Sequence, residues 1–102
     1  MKKITQNTIN AFLNDDQIKI DNTQVIVNAN FGDPRTELYL FDNLIAQKRI
    51  GSKTIQITNA DWKSKTTKER LNALPGVSIC QKKGDWYLNG NKWQGDWITI
   101  QN

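Results

Sequence analysis

The chain has 102 residues, 37% hydrophobic and 24% charged, which suits one domain (1–102) with a single small core. No run nears the ~18 apolar residues of a membrane span, and the start Met1-Lys-Lys-Ile-Thr-Gln-Asn7 reads as too polar for a signal peptide. With no histidine and one cysteine, Cys80, the common zinc sites, a histidine-activated nucleophile and an intrachain disulfide are excluded. The single thiol fits a reducing cytoplasm.

The formal net charge of +4 is unevenly spread. Residues 1–42 carry four Lys/Arg against six Asp/Glu, and residues 43–102 carry ten against four. A basic half of this kind suggests a polyanion or an acidic protein surface as partner.

Taken in order, residues 5–14 predict a short amphipathic helix. Ile9, Phe12 and Leu13 share one face, and Thr5 stands where a cap belongs. Residues 23–29 predict a strand around Val25-Ile-Val27, and residues 31–35 a turn in which Pro34 excludes a central strand. Strands over 37–41 and 44–49 follow, joined by an Asp42-Asn43 turn. Thr54-Ile-Gln-Ile-Thr58 alternates with period two, placing Ile55 and Ile57 on one face. A second helix follows, with Thr66 and Glu69 in capping-box spacing, Leu71 and Leu74 facing the core, and Pro75-Gly76 as the stop. Strand 77–81 and a Lys82-Lys83-Gly84 turn lead to the hairpin Trp86-Tyr-Leu-Asn-Gly-Asn-Lys-Trp93. Asn89-Gly90 suits its type I′ turn because both central residues need positive φ. Residues 96–100 form a last strand whose edge is open to another chain. The order α-β-β-β-β-α-β-β-β defines an α+β fold: a small antiparallel sheet, meander plus C-terminal hairpin, with two short helices.

No catalytic constellation stands out. The six glycines are scattered singly, so no phosphate loop exists, and nothing selects a pair of carboxylates. The expectation is a non-enzymatic protein without metal or cofactor. The basic set is the candidate partner-binding site. Lys63, Lys65, Lys68 and Arg70 surround the start of the second helix, where the backbone field already favours anions. Lys82 and Lys83 occupy a turn, and Lys48 and Arg49 end a strand. An exposed Trp62, Trp86 or Tyr87 among them would stack a base. Core packing is the plainer use of these aromatics, and solubility the plainer use of the lysines.

Several stretches carry a resemblance: Leu40-Phe-Asp-Asn-Leu-Ile-Ala46, Thr66-Thr-Lys-Glu-Arg-Leu-Asn72 with the following Ala-Leu-Pro-Gly-Val77, Gln81-Lys-Lys-Gly84 and Trp86-Tyr-Leu-Asn-Gly90. Through them the chain, over residues 36–97, resembles a family of small proteins from tailed-bacteriophage and prophage genomes. Residues 17–35 depart from that pattern. The family carries no agreed activity, so the resemblance transfers no catalytic residue. It implies a phage protein acting in the bacterial host cytoplasm. Small phage proteins without catalytic chemistry often disable a host machine. The expected function is therefore a counter-defence inhibitor of anti-CRISPR type, acting on a host protein or nucleoprotein. The alternative is a nucleic-acid-binding accessory protein, with RNA or DNA as direct partner. Oligomeric state is open at this stage.

Overall fold

The computed structural model describes residues 2–29 and 32–100, and in them each of two helices is followed by a run of strands, nine in all. Helix α1 (Lys3–Leu13) precedes strands β1 (Ile18–Ile20), β2 (Thr23–Asn28), β3 (Arg35–Leu40), β4 (Asn43–Arg49) and β5 (Ile55–Ile57). Helix α2 (Lys65–Asn72) is followed by β6 (Ile79–Lys82), β7 (Asp85–Leu88), β8 (Asn91–Lys92) and β9 (Ile98–Ile100). The expected antiparallel α+β fold is present, but it holds two sheets. A six-stranded sheet runs β1-β2-β3-β4-β5-β9, and a three-stranded sheet runs β6-β7-β8. The first strand was not anticipated, because Ile18-Lys-Ile20 is too short to show a period. Of the 31–35 turn, Phe31 lies outside the described residues.

The meander follows from the alternation of its strands. In β3, Thr36, Leu38 and Leu40 are buried while Arg35, Glu37 and Tyr39 lie on the opposite face. In β5, Ile55 and Ile57 are buried around an exposed Gln56, as period two requires. A register shift at Leu38/Tyr39 bends β3 against β4. Ile57 pairs with Ile98 and Ile55 with Ile100, so the chain's last strand closes the sheet as an edge.

Both helices pack on one side of the meander, and α2 also touches β6. Ile9 and Phe12 of α1 are buried, whereas Leu13 is exposed, at the end of the helical stripe. Leu71 and Leu74 are buried as expected, together with Trp86 and Trp93, whose ring centroids lie 6.3 Å apart. The buried side chains among these belong to one hydrophobic cluster that draws on both sheets.

Two caps differ from expectation. The α2 cap is Ser64, whose Oγ accepts the Thr67 amide at 3.0 Å, and not Thr66. Glu69 therefore makes no capping box; its carboxylate accepts the Thr5 hydroxyl at 2.7 Å. Thr5 is correspondingly a buried residue inside α1 and not its cap.

Candidate interaction surface

Two two-residue turns meet at one end of the six-stranded sheet. Leu40 pairs with Asn43, leaving Phe41 and Asp42 as the β3–β4 loop, with φ of 49° and 64°. The loop thus sits one residue earlier than the expected Asp42-Asn43 turn. Ala60 and Asp61 form the second turn, at φ of 54° and 60°, closed by the Trp62 amide donating to the Asn59 carbonyl at 2.9 Å. Both show the type I′ pattern, yet neither contains glycine. The left-handed region is sterically unfavourable for L-residues by about 1–2 kcal/mol each, and a bulky Phe there is an outlier.

The surroundings hold these turns in place. The Phe41 amide donates to the Asn22 carbonyl at 2.8 Å, and the Asn43 side-chain Nδ2 donates to the Phe41 carbonyl at 3.3 Å. At the second turn, the Asp61 amide donates to Asn59 Oδ1 at 2.9 Å and the Ala60 amide to Thr58 Oγ1 at 3.2 Å. Thr58 and Asn59 are themselves anchored on the Gly95 carbonyl.

The outcome is an aromatic pair held in solvent. The Phe41 and Trp62 centroids are 5.2 Å apart at 54°, and the side chains remain 49% and 41% exposed. Beside Phe41 lies an open groove of about 300 Å³ lined by Lys19, Asp21, Asn22, Gln24, Tyr39 and Asp42. Burial, and then the neighbouring Glu37 carboxylate, pushes the Tyr39 hydroxyl up, so it remains neutral and protonated at physiological pH.

The basic residues expected to form the site separate. Lys63 and Lys65 are exposed and follow Trp62 directly, with half-buried Lys68 one turn along α2. These three stay close to Trp62 in sequence. Arg70 does not reach the surface. It is 2% exposed, with Nε donating to Thr23 Oγ1 at 3.1 Å and Nη1 to Thr5 and Glu69. Lys48 is likewise buried, its Nζ 2.7 Å from Asp15 Oδ1. Both were expected at a binding surface. Each instead neutralises a carboxylate and joins distant segments, since a buried cation must be paired. Arg49 is exposed but closes β4 at the end away from Phe41, roughly 20 Å along the strand. There it and Arg35 share the Asp33 carboxylate, at 3.6 and 2.5 Å. Lys82, the last residue of β6, and Lys83, in the β6–β7 turn of the smaller sheet, are exposed.

Among the tryptophans, Trp86 and Trp93 are core, and Trp62 and Trp97 are exposed. Phe41 escaped sequence reasoning because it looks like the end of a strand. The one available signal was a two-residue connection lacking glycine. Among the described residues no three His, Cys, Asp or Glu side chains lie close enough together to hold a metal, and no helix is long and apolar enough to cross a membrane.

The molecule is thus a small α+β protein whose distinguishing surface is an aromatic pair beside a lysine-bearing helix start. The chain belongs to the Kyanoviridae Gp96 protein family, a phage protein family whose model matches residues 1–101. That match takes in residues 17–35, which the family resemblance had left aside. Comparison with curated proteins and with solved structures finds no match.

Proposed function

We propose that this phage protein is a non-enzymatic factor that binds a host protein or nucleoprotein and inhibits or modulates it. A counter-defence role of anti-CRISPR type in the bacterial cytoplasm is the form we favour. The observation that supports the reading is the Phe41–Trp62 pair, two half-exposed rings presented by left-handed turns. Aromatic anchors of this kind dominate protein interfaces, and strained backbone collects where a surface is used. Lys63, Lys65 and Lys68 beside Trp62 add a cationic rim.

The same rim and an exposed Trp62 favour a second reading, direct nucleic-acid binding by ring stacking and phosphate contact. The experiment is capture of partners from native host lysate by the tagged protein, with and without nuclease. Capture of one host complex that survives nuclease and is lost in Trp62→Ala and in the Lys63→Glu/Lys65→Glu/Lys68→Glu variant is expected. Capture that vanishes with nuclease, together with affinity for naked RNA or DNA falling steeply with salt, replaces the first reading by the second. Capture unchanged in both variants, or turnover of a substrate by the purified protein, removes both.

A further inference from the structure

We infer that the groove beside Phe41, with the Phe41–Trp62 rings, takes a basic side chain, arginine or lysine, presented by the protein partner; this deepens the proposed function and rests on it. Three aromatic rings lie at this end of the sheet: Tyr39 and Phe41 on the groove wall, and Trp62 against Phe41. The faces of such rings attract cations, most strongly when water is displaced.

The carboxylates on the groove wall point the same way, whereas Lys63 flanks the Trp62 side of the pair. Asp21 and Asp42 line the groove, Asp61 immediately precedes Trp62, and all three are exposed. None of the three forms an ion pair among the described residues. Lys19 is the lysine on the groove wall. A protein of net charge +4 therefore carries at this end a ring-lined groove whose wall holds two carboxylates against one ammonium. A guanidinium bound there has carboxylates in reach for charge-assisted hydrogen bonds and an aromatic face for its plane.

The Asn22 carboxamide oxygen is already an acceptor for Thr23 and Arg70, and Asp21 and Asp42 are the anionic acceptors on the groove wall. A nucleic-acid phosphate in the same place meets Asp21 and Asp42, which repel it. A basic side chain also fits the class of partner proposed, because surfaces that handle nucleic acid are built from arginine and lysine.

The test is a nuclear magnetic resonance titration of the full chain with a Gly-Arg-Gly peptide, a Gly-Glu-Gly peptide and a single-stranded RNA oligomer. The arginine peptide is expected to shift Asp21, Tyr39, Phe41, Asp42 and the Trp62 indole in a saturable way, and the glutamate peptide is expected to leave them in place. Asp21→Asn/Asp42→Asn is expected to weaken the arginine response at least fivefold. Both sites are exposed and left-handed, where Asn is tolerated, so the remaining spectrum reports an intact fold. Phe41→Asn is expected to abolish the response. No response to the arginine peptide overturns the inference, as does one indifferent to the double variant. An RNA oligomer that shifts the same residues more strongly also overturns it and assigns the surface to nucleic acid. If lysate capture depends on Trp62 while the arginine peptide leaves the groove unmoved, this inference fails and the proposed function stands. If the peptide binds and the lysate yields no partner, the proposed function fails and the groove chemistry stands.

Discussion

Gly95 has no room for a side chain. A Cβ placed there would stand 2.0 Å from the Asn59 carboxamide, and its φ is +96°. Its carbonyl meanwhile holds the Thr58 hydroxyl and the Asn59 amide, so the turn that presents Trp62 is built on a bare backbone. Gly95→Ala should destabilise the protein by about 2–4 kcal/mol from overpacking and left-handed strain, read as a lower urea midpoint. The buried cations show the limit of local reading. Arg70 lies in a helical run of polar residues and reads as a surface cation. Its partners Thr5, Asn22 and Thr23 come from 65, 48 and 47 positions away, which no local pattern discloses. Lys48 and Asp15 are 33 apart.

These pairs tie the fold's stability to acid pH. Burial raises the Asp15 carboxyl, but hydrogen bonds from Lys48, Thr36 and the Gly51 amide outweigh it and hold the group below its ordinary 3.8. The Thr5 hydroxyl, with Lys2 and Arg70 behind it, does the same for Glu69 against its ordinary 4.5. With folded values depressed, the unfolded chain binds more protons in this range, so stability rises with pH. The contribution is full above about pH 5 and is lost as pH falls through 4 and below. The urea midpoint should therefore drop on acidification from pH 5 to 3, and Asp15→Asn should flatten that drop while lowering stability at pH 7.

At the scale of elements, tight turns decide most of the shape. Asn89-Gly90 and Lys83-Gly84 are two-residue loops with both φ values positive, and the first was readable from its dipeptide. Phe41-Asp42 has the same backbone without the signature residues, so its position was misplaced by one. Strand β5 was readable because its alternation survives in three residues flanked by threonines. The break into two sheets was not, since pairing partners leave no local trace.

The smaller sheet is held to α2 by paired amides. Asn72 Oδ1 accepts the Ile79 amide at 2.6 Å, and its Nδ2 donates to the Ile79 carbonyl at 3.0 Å. Asn89 likewise joins Ser78 and Gly76. Asn72→Ala should cost about 1–2 kcal/mol for the lost pair of bonds. Amide exchange should quicken first in β6 and β7 while β2–β4 stay protected, because local opening follows the weakest attachments. At the far edge, β9 leaves Trp97 and Ile98 exposed, with no lysine or proline within the strand to guard it.

At the scale of the molecule, the acidic and basic halves of the sequence do not become an acidic and a basic side. Two cations enter the interior, Arg35 and Arg49 share an aspartate, and Lys82 and Lys83 belong to the smaller sheet. What remains by the aromatic pair is Lys19 on the groove wall beside Phe41, with Lys63, Lys65 and Lys68 following Trp62 in sequence. Sequence alone groups Lys48 and Arg70 with the exposed lysines as one basic set and overstates its exposed charge, because net charge says nothing of which cations find partners inside. The fold class was readable, since period-two runs, one proline-glycine stop and one Asn-Gly turn are local signals. The candidate surface was only half readable, since it needs Phe41 and Trp62 brought together from 21 positions apart.

The conformation of Phe41 bears on how this protein's relatives will differ. A hairpin of this shape accepts asparagine or glycine more comfortably than any ring. Under the proposed function, a lineage that ceased to use the surface would be free to drift toward those residues without harm to folding. An aromatic side chain kept at this corner in a distant descendant would then be a mark of binding retained, and its replacement a mark of binding lost.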